Sequence, residues 1–509
     1  MDSIFKTVIT ILITSIAVTS FSVSASDKIF KEPIEDCVYP DSTDTKYSEV
    51  SCLLEGIAVV KVGLEEDARF GLIDAEGQEI LPPEYYFFLP FSEGLFKALK
   101  NEKMGLINRR GEIVLPVIYD FVGSFGREYG FDGYTTIMLG KASTNKQRMG
   151  LINNQGKIVI EPKYLFIYSS GEDDLIEVSI KDEEVNYDDI SYGDVKYGLS
   201  TYDDKIIVPL DYDEPIRFYE SFARICKDKK CNFTDKKGQL LLPYWVDAAG
   251  NFVESRAWVN KEGNFGYIDE SAQTVIPYIY NDAEDFEYGR AIVSYDNANL
   301  SITRQDEKSD NEYYGVIDIE GNTIVPFEYQ RITRVTPNLL YADKADDFYF
   351  LDNDGDLATE TKYEDIVYGS LFNSLLAVKK GGKWGFVDYN FQNITPFEYE
   401  TALEFNDDLA AVEKNSQFGF IDDKGDLIIP FEYDDAIDIT DWEARLYGKY
   451  RFTEGVAILS KNNHWGVIDK DNNIVVPFEY ENILNHGYYI EATKSGVQYK
   501  FDLKGNVAE

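Results

Sequence analysis

Only two histidines, His464 and His486, stand in 509 residues, so a Ser-His-Asp triad or a multi-histidine metal centre has almost nothing to draw on. His464 sits where related segments carry Lys383 or Gln417, which reads as a strand surface. His486 lies in a connection between Asn485 and Gly487. Carboxylates are plentiful, 91 against 49 basic residues, and a close pair of them could hydrolyse a glycosidic bond. At that abundance pairs arise by chance, and no pair stands outside the pattern described below. Asp352-Asn353-Asp354-Gly355-Asp356 invites comparison with a calcium loop, but its Gly comes too early, and Asp469-Lys470-Asp471-Asn472 is another turn of the same kind. No glycine-rich loop precedes a helix to cradle a phosphate. Nothing in the pattern asks for a cofactor or a metal.

Four cysteines remain: Cys37, Cys52, Cys226 and Cys231. Three connectivities are open, and the sequence-local choice is Cys37–Cys52 with Cys226–Cys231. The second bridge would staple two strands across the turn Lys227-Asp228-Lys229-Lys230. A zinc site is disfavoured, because no second local pair or histidine accompanies the cysteines.

The elements that must position these groups are written as a repeat. One phrase recurs along the chain: Gly, two apolar residues, Asp, then Gly, apolar residues, Pro and Tyr. Residues 418–433 carry it cleanly, from Phe418-Gly419-Phe420-Ile421-Asp422 to Pro430-Phe431-Glu432-Tyr433. With the first Gly as anchor, copies fall at 71, 105, 150, 198, 232, 266, 315, 349, 385, 419, 466 and 499. Seven of the eleven intervals are 33–36 residues and four are 45–49, so the unit is about 34 residues with insertions. Asn232, Tyr349 and Tyr499 replace the anchor Gly in degenerate copies.

Asp or Asn stands three after the anchor in eleven of twelve copies, and Gly six after it in eight. Asp opening a type I turn, with Gly supplying the left-handed residue, is hairpin chemistry. Pro follows at plus eleven in nine of eleven full copies and is expected to end the second strand. Tyr recurs at plus fourteen in ten copies, including Tyr164, Tyr399 and Tyr433. Such a ring is expected to pack on the neighbouring unit and to bond through its hydroxyl. A third strand, such as Glu93–Leu99 or Leu409–Val412, is expected to close each unit. On that reading the array opens and closes in mid-unit, either as frayed capping ends or as halves that pair into a ring.

The phrase resembles the WG (Trp-Gly) β-repeat family. Lys383-Trp384-Gly385-Phe386-Val387-Asp388 and His464-Trp465-Gly466-Val467-Ile468-Asp469 carry it most literally. Phe70, Met104, Met149, Tyr197, Phe265, Tyr314 and Phe418 replace the Trp elsewhere. The resemblance covers about residues 51–509. It implies tandem β-hairpin units in a chiefly bacterial family and no common catalytic set.

The fold class expected is therefore all-β: a tandem array of hairpin-plus-strand units, elongated or curved like a solenoid, with propeller-like closure the competitor. Residues 1–25 read as an export signal, with Lys6, the apolar run Val8–Val18 and Ser22-Val23-Ser24-Ala25 before the cut. Residues 26–50 are an N-terminal leader and 51–509 the array. The mature protein is expected to be periplasmic or secreted, with no membrane insertion after cleavage.

A net charge of −42 argues against nucleic acid and anionic membrane surfaces, keeps an aromatic-rich chain soluble, and would attract cationic partners or divalent ions. The insertions Ser294–Tyr313 and Asp438–Arg451 are solvated loops or parts of a binding side. The function expected is non-enzymatic binding or scaffolding of a protein or envelope component. The alternatives are recognition of cell-wall glycans, which requires Trp384 and Trp465 to lie outside, and carboxylate-dependent glycoside hydrolysis.

Overall fold

The computed structural model describes residues 38–41, 46–53, 56–63, 67–92, 94–108, 110–124, 131, 133–140, 147–172, 174–181, 195–296, 312–345, 347–434 and 449–507. Residues 1–37, with Cys37, and most of the insertions at 294–313 and 438–451 lie outside them. Two compact units, 1–286 and 287–509, divide the chain. Within the described residues the architecture is all-β: antiparallel sheets of three or four strands, each strand paired with its neighbour in sequence.

The sheet formed by Phe87–Ser92, Leu95–Lys100, Lys103–Asn108 and Ile113–Tyr119 shows how the phrase folds. Asn108 closes the long turn: Gly111 N–H donates to its carbonyl at 3.0 Å, and its side-chain oxygen accepts from Arg110 and Glu112 N–H. Gly111 takes the left-handed conformation there (φ 76°), as Ala272, Phe391 and Asn472 do in copies without the Gly.

The strand order departs from expectation in one respect. Leu95–Lys100 pairs with Phe87–Ser92 before it and with Lys103–Asn108 after it, so the expected third strand lies inside the sheet of the following hairpin and does not close the preceding one. The cause is a two-residue turn, Asn101-Glu102, with both φ values positive (51° and 59°), which suits the twist of a tight hairpin. Asp228-Lys229, Asn415-Ser416 and Asn462-Asn463 repeat it. The first sheet, 49–85, accordingly holds its own complete hairpin and does not start in mid-unit.

Nor does the proline end its strand. Ile113–Tyr119 runs through Pro116 to the tyrosine, across a register shift between Met104↔Tyr119 and Leu106↔Leu115. Proline is tolerated because this is the sheet's last strand and the bulge demands no donor at that point. The bulged strand folds over the anchor glycine. A Cβ on Gly105 would stand 2.6 Å from Leu115 O and 2.8 Å from the Pro116 carbonyl carbon, and Gly71, Gly150, Gly266 and Gly419 face the same obstruction.

The sheets holding Asn232, Tyr349 and Tyr499 in place of the anchor glycine each have three strands, as does the sheet holding Gly385. Asn232 compensates by bonding Leu242 and Tyr244 carbonyls through its own amide, both at 3.0 Å.

The residue before the anchor faces the repeat tyrosine across the bulge, as in Phe70↔Tyr85, Phe418↔Tyr433 and Trp465↔Tyr480, so it is large and apolar. The core lies between successive sheets. In the first unit Leu95, Leu106 and Tyr119 pack with Val122, Ile137 and Ile152 of the next sheet. In the second, Phe418, Phe420 and Tyr433 pack with Tyr450, Phe452 and Leu459. Eight of the ten repeat tyrosines are buried; Tyr212 and Tyr363 are half-buried. Two of their hydroxyls reach the turn of the next repeat: Tyr164 donates to Asp204 at 2.8 Å and Tyr433 to Asn472.

Candidate functional site

Most residues singled out for chemistry are absorbed by the repeat. Asp352 Oδ1 accepts from Asp354 and Asp356 N–H at 2.9 Å, the turn bonds that Asp235, Asp422 and Asp469 also make. Arg290 caps the same loop, donating to Asn353 O and Asp354 Oδ1 at 2.9 Å, and Arg334 bonds Asn353 Oδ1 at 3.1 Å. Guanidinium groups thus stand where the calcium reading would need a cation. Asp469 is likewise committed to Asp471 and Asn473 N–H. Among the described residues, no group of three or more His, Cys, Asp or Glu is placed to hold a metal ion.

His464 is exposed on its strand, with Nδ1 2.9 Å from Asn462 O, and His486 stacks on Tyr489 with ring centroids 4.5 Å apart. Cys226 and Cys231 are directly opposed across the hairpin and form a disulfide, buried among Phe233, Val246 and Phe252. Cys52 is disulfide-bonded; Cys37 lies outside the described residues.

The tryptophans are not outside, as glycan recognition required. Trp384 is 8% exposed in the core with Phe386 and Tyr399. Trp465 is half-buried, with the Lys449 ammonium 4.3 Å from its ring centre. Pairing with the repeat tyrosine draws both rings inward.

The chain departs from its own grammar in one place that makes a concave surface. Tyr349 occupies an anchor position, and the strand that should follow it is reduced to the single bridge Leu351↔Leu357. Val367 then leads into a short 3-10 helix, Tyr368–Phe372. Between these residues and the hairpin 339–352 lies an open cleft of about 500 Å³, lined by Arg331, Tyr341, Asp343 and Phe348 on one side and by Glu364, Asp365, Ile366 and Tyr368 on the other.

Arg331 and Asp343 are opposed in register and joined by a bond of 2.7 Å from Nε, while Tyr341 donates its hydroxyl to the other oxygen of Asp343. Burial and then that bond push the Tyr341 hydroxyl far above the usual phenol range, so it stays a donor. Burial opposes the charge on Arg331, but the bond to Asp343 outweighs it and the guanidinium is held more firmly protonated. The same guanidinium lies 4.7 Å from the Tyr368 ring centre. Tyr341 stacks on Phe348 at 5.7 Å and meets Tyr368 edge-on at 5.8 Å. At the rim Tyr368 and Phe372 are 38% and 63% exposed, their rings 6.0 Å apart.

Sequence reading passed over this site. Its signals were Tyr349 in place of Gly and Tyr341 where neighbouring copies carry Ala377 and Ala411.

No curated protein matches the chain. Solved structures that resemble it include the tricorn protease, at 10% identity over 89% of this chain and 57% of that one (TM-score 0.20). Another is the extracellular domain of a putative one component system from B. thetaiotaomicron, at 10% identity over 93% and 78% (TM-score 0.20). A third is PorZ of Porphyromonas gingivalis, a bacterial surface component of the type-IX secretion system, at 10% identity over 92% and 75% (TM-score 0.18). Nothing is transferred from these three at such scores, and the chain spans little more than half of the tricorn chain. The WG containing repeat matches eleven times: at 70–103, 104–131, 149–182, 197–231, 233–265, 265–297, 314–338, 350–384, 384–417, 418–441 and 465–489. With well over half of its residues so matched, and with one hairpin grammar running through them, the chain belongs to the WG repeat family.

Proposed function

We propose that the protein is an exported, non-enzymatic binding module that captures a protein or envelope component at the cleft between 331–348 and 364–368. The observation that carries this reading is the exposed ring pair Tyr368 and Phe372 at the rim of the aromatic-lined cleft. Aromatic side chains of this kind, beside a concavity, are the anchors that carry most of the energy in protein interfaces. Export is supported by the signal-like first 25 residues and by the buried Cys226–Cys231 bridge, which suits an oxidising compartment. Among the described residues no helix is long and apolar enough to cross a membrane.

The test is capture from an envelope extract by the wild-type chain and by Tyr368→Ala/Phe372→Ala. Loss of a captured species in the double variant, with an unchanged melting curve, supports the reading. Identical capture by both proteins refutes it. The hydrolase alternative could draw on Glu364 and Asp365 of the same cleft. Turnover of a glycan, abolished by Glu364→Gln without loss of folding, would favour it instead.

A further inference from the structure

The occupant of the cleft can be specified from its charge. Four carboxylates, Asp343, Asp347, Glu364 and Asp365, line it against one guanidinium, Arg331. Arg331 and Tyr341 consume Asp343. The other three have no ion-pair partner among the described residues. Lys344 stands opposite Asp347 in register but bonds Glu328 at 2.8 Å, and Lys379 stands opposite Asp365 but lies 5.9 Å from the Trp384 ring centre. Glu364 accepts only backbone N–H, from Gly382 at 2.9 Å, and Asp365 accepts the N–H of Ile366 at 2.8 Å. At the same repeat position in the second unit Glu400 is paired with Lys383 at 2.6 Å, whereas Asp434 and Glu481 accept backbone N–H from the next turn as Glu364 does.

Arg331 already shows what the rings accept, since its guanidinium lies over Tyr368 while a carboxylate holds its edge. A second cation entering beside it would meet the half-buried Phe348 ring and three uncompensated carboxylates. Resting on the binding-module reading above, we infer that the cleft takes a lysine or arginine side chain from a basic peptide segment of the partner. Charge complementarity selects this occupant over an acidic or purely apolar one, for which the three carboxylates would be desolvated without repayment. The rim pair Tyr368 and Phe372 would cover the apolar stem and neighbouring residues of the same segment.

The experiment measures binding of synthetic octalysine, octaarginine, a Gly/Ser octapeptide and spermidine to the full chain, by calorimetry in low salt. The test variant is Asp347→Asn/Glu364→Gln/Asp365→Asn. Its control, Asp423→Asn/Asp426→Asn/Asp471→Asn, removes the same charge from exposed turn residues. The cleft variant should weaken the basic octapeptides at least about tenfold and the control less than about twofold, with the Gly/Ser peptide not binding. Equal weakening by both variants would reduce the effect to net charge and overturn the inference. So would a Gly/Ser peptide that binds as tightly, or spermidine that competes as well as the peptides, which would make the ligand a free amine. Capture from extract that needs Tyr368 and Phe372 but ignores the three carboxylates sinks the cationic occupant and leaves the binding module standing. Peptide binding that needs the carboxylates while extract capture ignores the rings does the reverse.

Discussion

Removing Tyr433 should separate the packing of a repeat tyrosine from its hydrogen bond. The ring is 2% exposed, in a cluster with Phe418, Tyr450 and Leu459, and the partly buried Phe478 lies 5.7 Å from it. Its hydroxyl donates to Asn472, whose amide in turn holds Glu432 at 3.0 Å, while Lys461 bonds Glu432 at 2.8 Å. Truncation to alanine removes a buried ring and leaves a cavity between two sheets, which costs about 3–5 kcal/mol. Tyr433→Phe loses only the bond to a half-exposed partner, about 1 kcal/mol. For a unit of 223 residues (287–509), each kcal/mol moves Tm by roughly 2–4 °C. Differential scanning calorimetry should therefore find Tyr433→Ala about 6–20 °C below wild type and Tyr433→Phe only about 2–4 °C below. Ile474→Ala, 64% exposed at the edge of a nearby sheet, is the control and should barely move the transition. A Tyr433→Ala shift no larger than that of Ile474→Ala would refute the claim that the tyrosines join the sheets.

Three further outcomes follow from particular residues. Gly105→Ala should destabilise by about 1–3 kcal/mol or more, because its Cβ meets backbone at 2.6 Å, and Gly133→Ala, with nothing within 4 Å, should lack that steric part of the cost; both are read by urea unfolding. Reducing Cys226–Cys231 opens a short loop and should cost roughly 2 kcal/mol, visible as a lower Tm of the first unit in reductant. Glu177 is 1% exposed, and burial, opposed by Arg217 and the Ile216 N–H at 2.6 Å, pushes its carboxyl up to about 7. A folded pKa above the unfolded value means that the folded state holds the proton more tightly, so stability falls as pH rises from about 4.5 to 7. Glu177→Gln should thus stabilise the fold at pH 8, by about 3 kcal/mol at most and seen as a higher Tm, and change little at pH 4; a variant equally stabilised at both would refute this.

How the repeat folds was largely legible, because its chemistry is local. Asp and Gly three residues apart specify a bulged turn through bonds within five residues, and the structure shows it at Asp74, Asp235 and Asp422. The assignment of the third strand was not legible from hydrophobic pattern alone. It turns on two-residue loops such as Asn101-Glu102, where composition says little and positive φ decides. The proline misled for a related reason: it lacks a donor, but an edge strand with a bulge does not need one at that position.

The amino-acid sequence by itself determined the repeat, the hairpin turns and the family, since each rests on residues a few positions apart or on simple recurrence. Only the tertiary structure decided why the anchor must be glycine, where the Trp384 and Trp465 rings lie, and that a cleft opens beside the copy that carries Tyr349. Those facts depend on the close passage of one backbone over another and on charges brought together from residues 331 to 368. Spacing along a chain does not encode such approaches; packing does.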